Sequence, residues 1–194
     1  ERYVVKTAEH EYDAEIIGNL RFSANDRTDF PAVGDWVTIS EFDEKKALIH
    51  AILPRKNIIE RQAVAKFGEK QIIAVNIDYG FIVQSVDRDF NINRIERYLT
   101  ICNASKVLPI ILLTKIDLIE KAKLNSIITS IEDRIKQIPI ISISNIELDG
   151  IDQLKESFIK GKTYCLLGSS GVGKSSLLNN LSGQNLMQTN TISE

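Results

Sequence analysis

Gly168-Ser169-Ser170-Gly171-Val172-Gly173-Lys174-Ser175 matches the phosphate-loop pattern G-x-x-x-x-G-K-[ST] in full. Its flanks supply the context that pattern needs. Residues 163–167 form a short apolar run suited to a buried strand, and Leu177, Leu178 and Leu181 then recur at helical spacing. Gly168 and Gly173 permit a tight turn with no Cβ between backbone and ligand. The amides of Gly171 to Ser175, together with the helix N-terminus, make a cradle for anions. Lys174 is placed to reach β- and γ-phosphates, the Ser175 hydroxyl to ligate Mg2+, and Ser176 completes the loop. A glycine turn before an ordinary helix would need neither the lysine nor the serine.

A second motif concerns the base. Residues 107–113 are a β-rich apolar run that ends at Thr114-Lys115-Ile116-Asp117, which resembles the [NT]-K-x-D guanine-specificity motif of GTPases. One carboxylate accepts two hydrogen bonds, from guanine N1–H and the 2-amino group. Adenine offers neither donor and would leave the carboxylate unpaired in a half-buried site, which discriminates strongly. Lys115 would lay its aliphatic stem along the base plane. Lys-x-Asp also ends ordinary strands, so the motif gains its weight from the phosphate loop beside it.

The order of the two motifs is unusual, because Asp117 precedes Gly168. In an ordinary GTPase the phosphate loop comes first. The reversed order implies a circular permutation, which compact domains tolerate because their termini lie close together. Three further stretches narrow the match. Ala32-Val33-Gly34-Asp35-Trp36-Val37 resembles a P-A-V-G-D-[WF]-V segment. Asn76-Ile77-Asp78, Phe81-Ile82-Val83 and the run from Asp89 to Leu99 resemble an N-x-D…F-I…D-F-N-x-x-R-x-E-R-Y-L signature. In combination they resemble the circularly permuted small-ribosomal-subunit biogenesis GTPases, the RsgA/YjeQ family. The resemblance implies GTP and GDP as ligands with Mg2+, a GTPase stimulated by the small (30S) ribosomal subunit, and a part in late maturation of that subunit. It implies a cytoplasmic protein, a small-subunit rRNA partner and a monomer.

Along the chain the hydrophobic period changes once. Residues 1–66 read as short strands at 2–7, 12–22, 36–41, 47–53 and 58–61, separated by turn signals. Five strands of this length suit an OB-type Greek-key barrel, expected to bind RNA or the ribosome. Trp36 is expected in its core, with a base-stacking role as the alternative. Residues 67–194 read as an α/β circularly permuted GTPase domain. Strands are expected at 72–75, 80–85, 107–113, 138–143 and 163–167, and helices at 93–103, 118–136, 151–159 and 174–181. That alternation predicts a parallel sheet with nucleotide at the C-terminal strand ends. Ser144-Asn145-Ile146 resembles the family's S-A-K segment, where a backbone amide meets guanine O6, and Ser142 offers a second register.

Composition bounds the rest. Net charge is −2, with 10 basic and 12 acidic side chains in residues 1–66 and 14 of each in 67–194. No domain is basic in the manner of most nucleic-acid binders. The exception is the stretch 55–70, where five basic residues face two acidic ones. Arg55, Lys56 and Arg61 are therefore candidate rRNA contacts, with a solvated strand edge as the competing account. No apolar run approaches a membrane span. The two cysteines, Cys102 and Cys165, read as reduced core residues.

Some family features lie outside the sequence. It contains no Asp-x-Pro-Gly segment, no Gly-Arg-x-His-Thr-Thr switch and no C-terminal Cys/His module. The α/β domain is accordingly expected to stop before the switch and Asp-x-Pro-Gly segments, leaving no catalytic residue in the chain and Zn2+ only in a module beyond it. A different class stays open: a non-hydrolysing RNA-binding module switched by GDP and GTP, or another permuted ribosome-assembly GTPase.

Overall fold

The computed structural model describes residues 2–24, 26–62, 70–88 and 90–188, with backbone alone for Arg61, Gln62 and Lys70. The chain divides into two units, residues 1–77 and 78–194.

In the first unit, strand β2 (Glu11–Ile16) shows why alternation makes a half-buried strand. Tyr12, Ala14 and Ile16 are buried, while Glu11, Asp13 and Glu15 face solvent. It pairs antiparallel with β1 (Arg2–Lys6) and parallel with β4 (Lys46–Ile52), which pairs antiparallel with β3 (Val37–Asp43). The sheet order is β1-β2-β4-β3. Ala14 and Ala47 stand opposite one another, and with Tyr12, Ile16 and Ile49 they form the core of this unit.

Three expectations change here. The strand expected over 12–22 ends at Ile16, and α1 (Gly18–Ser23) follows. Ile17 N still donates to the Ile49 carbonyl, but Arg21 N then donates to Ile17 O, and Leu20 packs back on the core at helical spacing from Ile16. Trp36 is 71% exposed and is not a core residue. The strand expected at 72–75 is β6 (Lys70–Val75), and it does not enter a parallel sheet. It pairs antiparallel with β5 (Ile58–Gln62), where Ile59 and Val75 are fully buried. A nearby antiparallel partner needs no crossover helix, whereas parallel pairing does.

The second unit is built on a parallel sheet of order β10-β7-β8-β9. Its strands are β7 (Tyr79–Ser85), β8 (Leu108–Thr114), β9 (Ile140–Ser142) and β10 (Tyr164–Leu167). Residues Gly80 to Ser85 of β7 are buried in sequence, the mark of a strand covered on both faces. Helices α2 (Ile92–Ala104), α3 (Lys121–Arg134), α4 (Ile151–Glu156) and α5 (Lys174–Ser182) provide that cover. The Asn91 side chain caps α2 by accepting from Asn93 N at 3.0 Å. The helix expected from 118 begins at Lys121 because residues 116–118 form a 3-10 turn after Lys115.

Phe81, Val83, Leu112, Ile143, Leu154 and Leu177 belong to one buried cluster between sheet and helices. Cys102 is fully buried and Cys165 half-buried, and burial pushes their thiols up to about 11 and about 12. Both therefore stay protonated and unreactive near neutral pH.

Candidate nucleotide-binding site

The loop between β10 and α5 is held from below. A Cβ on Gly168 would lie 2.5 Å from the Val83 carbonyl oxygen, so only glycine lets the loop leave the sheet this closely. Val172 is 2% exposed and belongs to the same buried cluster as Leu177, which anchors the loop. Gly173 has φ 93°, in the left-handed region, and a Cβ there would sit 2.9 Å from Asn145 Nδ2. No side chain caps α5. Its first-turn amides thus keep their capacity for an external acceptor.

Lys174 Nζ donates to the carbonyls of Gly168 at 2.9 Å and Ser169 at 2.5 Å. The ammonium lies across the loop, and burial lowers its pKa from the ordinary lysine value. Ser175 and Ser176 are half-buried at the start of α5, and Ser170 is exposed at the loop tip.

The base motif reaches the same loop from the end of β8. Thr114 is fully buried, and its hydroxyl donates to Val172 O at 2.7 Å. Residues 58 positions apart, in reversed order, are thereby joined. Lys115 adopts φ 61°, Ile116 is half-buried, and its amide donates to Ile143 O at 3.4 Å. Asp117 Oδ1 accepts from Ser144 Oγ at 2.6 Å.

Ser144 is itself fully buried, and its oxygen accepts from Ile146 N and Glu147 N. Ser142 lies within β9 instead, so Ser144 is the serine that meets Asp117. Asn145 Nδ2 donates to Gly173 O at 3.2 Å, and Asn180 Nδ2 donates to the Asn145 carbonyl at 2.9 Å. All the predicted base and phosphate residues therefore gather at the C-terminal ends of parallel strands.

These features fit a guanine nucleoside phosphate. Glycines stand where a Cβ would obstruct, an ammonium and uncapped amides face one loop, and a carboxylate is pre-oriented by a serine. Ser175 is the residue placed to add an oxygen ligand to a nucleotide-borne Mg2+. Among the described residues no group of three or more His, Cys, Asp or Glu side chains is arranged to hold a metal.

Reading the sequence alone missed Asp87, whose carboxylate meets Lys115, and Asn180, which steadies the Asn145 loop. Neither falls in a motif. Asp87 betrays itself only by lying two residues past a strand whose neighbour ends at Thr114, just before Lys115.

The candidate rRNA residues separate. Arg55 is not an exposed contact: its side chain is 11% exposed and Asp35's is 2% exposed. Arg55 Nε and Nη2 donate to the two Asp35 oxygens at 2.8 and 2.7 Å, and Nη1 and Nη2 donate to the Thr28 and Phe30 carbonyls. A guanidinium so engaged has little left for a phosphate. Lys56 is exposed. The Arg61 side chain lies outside the described residues.

A model of the RsgA GTPase family matches residues 52–194. The chain is 42% identical over 190 residues to small ribosomal subunit biogenesis GTPase RsgA 2 of Lactiplantibacillus plantarum, an alignment covering 98% of this chain and 53% of that protein. It is 37% identical over 203 residues to small ribosomal subunit biogenesis GTPase RsgA of Opitutus terrae, covering 98% and 54%. The chain spans about half the length of the curated relatives it matches.

Among solved structures, YjeQ from Thermotoga maritima matches with a TM-score of 0.70 at 25% identity, covering 92% of this chain and 60% of that one. YloQ, described as a circularly permuted GTPase, matches with 0.67 at 26% identity, covering 94% and 61%.

Proposed function

The chain belongs to the RsgA GTPase family, and from that membership we propose that the protein binds GTP and GDP and hydrolyses GTP. It acts in late maturation of the small ribosomal subunit, which stimulates the hydrolysis. The observation that supports this most is the pair of hydrogen bonds that ties Thr114 and Asn145 to the phosphate loop, at Val172 and Gly173, with Ser144 donating to Asp117 beside them.

In this reading the amides of Gly171 to Ser175 and the Lys174 ammonium hold the phosphates, with Lys174 exchanging the Gly168 and Ser169 carbonyls for phosphate oxygens. Ser175 would hold Mg2+ through its hydroxyl, and the ion would supply positive charge to the nucleotide phosphates. Asp117 accepts from guanine N1–H and the 2-amino group, the Lys115 stem covers the base, and the 144–145 backbone meets O6. Thr114 and Ile116 set the position of Asp117. No residue of this chain is assigned as the catalytic base.

The first unit is the proposed ribosome-binding part, of OB type, contacting rRNA. Its support is the resemblance of residues 32–37 and the exposure of Trp36, which presents an aromatic face to solvent as a stacking platform would. Lys56 is a candidate phosphate contact, whereas Arg55 is engaged by Asp35. A ribosomal partner fits a cytoplasmic protein, proposed as a monomer. No helix among the described residues is long and apolar enough to cross a membrane.

Multiple-turnover GTPase assays with and without purified small subunits test the enzyme reading. Hydrolysis that rises with added subunits supports it, and nucleotide binding without turnover in either case points to the non-hydrolysing module. The phosphate loop has its own test. Lys174→Ala is expected to cost about 2–3 kcal/mol of GDP binding, the range for charge-assisted hydrogen bonds. Because the ammonium is disfavoured by burial and restored by phosphate, affinity should also fall as pH rises through the lowered pKa. A Lys174→Ala protein that binds GDP as wild type does would make the loop structural.

A further inference from the structure

We propose that Asp87 is a positioning residue for nucleotide recognition, holding Lys115 in the pose in which its stem covers the purine. This rests on the reading of Lys115 and Asp117 as the guanine site.

The geometry is built from the backbone outward. β7 and β8 run parallel in register up to Ser85 opposite Thr114, and Val86 N then donates to the Thr114 carbonyl at 3.0 Å. That bond carries the ladder one residue past the strand and brings Asp87 beside Lys115. The Asp87 carboxylate is oriented by Ser85 Oγ, which donates to Oδ1 at 3.0 Å. Its other oxygen accepts from Lys115 Nζ at 2.8 Å. Lys115 is fixed at its root as well, with φ 61° at the entry to the 3-10 turn carrying Asp117.

A lysine stem has four flexible torsions, and a free one would lose that freedom on lying along a base. Anchoring the ammonium beforehand removes part of that loss from the binding step. The pair is partly exposed, 29% for Lys115 and 18% for Asp87, so its contribution is that of a screened pair. Thr114 and Asp117 flank Lys115 and are engaged elsewhere, by Val172 and Ser144. Asp87 thus acts on the face of the purine, and Asp117 on its edge.

Calorimetric titration of the purified protein with GDP separates the possibilities, using wild type, D87N, K115A and D87N/K115A. D87N is expected to weaken GDP about three- to fivefold. In the K115A background the same change should alter affinity less than about twofold, because Asp87 acts only through Lys115. The GDP-to-IDP affinity ratio should stay at its wild-type value in D87N, since IDP lacks only the 2-amino group at the edge. An equal loss in both backgrounds, no loss in D87N, or a changed GDP-to-IDP ratio overturns the proposal.

Should D87N lose its fold, Ser85→Ala gives the reading instead. Releasing the carboxylate from its hydroxyl partner lowers GDP affinity about two- to threefold if Asp87 positions Lys115, and leaves it unchanged if not. Wild-type protein that ignores GDP would overturn the guanine reading itself. Wild-type binding with an unaltered D87N overturns the role of Asp87 alone.

Discussion

Asp117→Asn is expected to lower GDP affinity by on the order of a thousandfold and to create binding of xanthosine diphosphate. In the proposed guanine site the Asp117 carboxylate would accept from two donors, N1–H and the 2-amino group. An amide keeps one acceptor and turns an N–H toward the amino group, so one hydrogen bond is lost and two donors are forced together. Xanthine carries a 2-oxo group in place of the amine and restores the match. The structure adds why the change should be local. Ser144 Oγ donates to Asp117 Oδ1 at 2.6 Å, and an asparagine carbonyl can take the same bond. The loop should therefore keep its shape while the edge chemistry inverts. Titrations of wild type with GDP and ADP, and of the variant with GDP and XDP, give the outcome. Equal affinity of wild type for GDP and ADP would sink the guanine assignment.

Arg55→Ala should produce the largest loss of stability, about 3–5 kcal/mol, the cost of stranding a buried charge. Asp35, 2% exposed, would keep its carboxylate with both guanidinium bonds removed, and the Thr28 and Phe30 carbonyls would lose a donor. Such a loss is a large share of a typical domain's stability. Hydrogen exchange followed by mass spectrometry should show faster exchange across residues 26–60. Arg55→Met with Asp35→Leu should recover much of the loss, because replacing both partners leaves no orphaned charge. An Arg55→Ala protein with wild-type exchange would show that the latch contributes nothing. The result also governs how ribosome binding is probed. Removing Arg55, Lys56 and Arg61 together would confuse unfolding with lost phosphate contacts, whereas Lys56→Ala alone changes an exposed charge.

The phosphate loop, the parallel sheet and most of its helices were legible in the amino-acid order. A strand buried on both faces reads as an unbroken apolar run, as Ile110 to Leu113 does, and an amphipathic helix repeats its apolar residues every three or four positions. The glycines at 168 and 173 declare themselves because a close approach and a left-handed φ are local backbone demands. Asp117 and Lys115 were legible for a similar reason, since they sit within four residues of one another on one strand end.

What could not be read was which polar group meets which across long separations. Arg55 stood in a locally basic stretch, and composition alone made it a solvent-facing cation. Its partner Asp35 lies 20 residues upstream, and its carbonyl acceptors lie further still. Trp36 looked like core because aromatic residues bury large areas, but the unit fills its core with Tyr12, Ala14, Ile16, Ala47 and Ile49. Residues 72–75 had the pattern of a sheet strand, and only pairing with β5 decided which sheet.

The sequence by itself determined the framework of the proposed nucleotide site, because steric limits at glycine, helix termini and hydrophobic period act over a few neighbouring residues. Tertiary structure alone decided that Ser144 meets Asp117, that Asp87 holds Lys115 and that Arg55 is a latch. Those outcomes depend on burial and on pairing between distant side chains, where desolvation makes a partnered charge structural and an unpartnered one untenable.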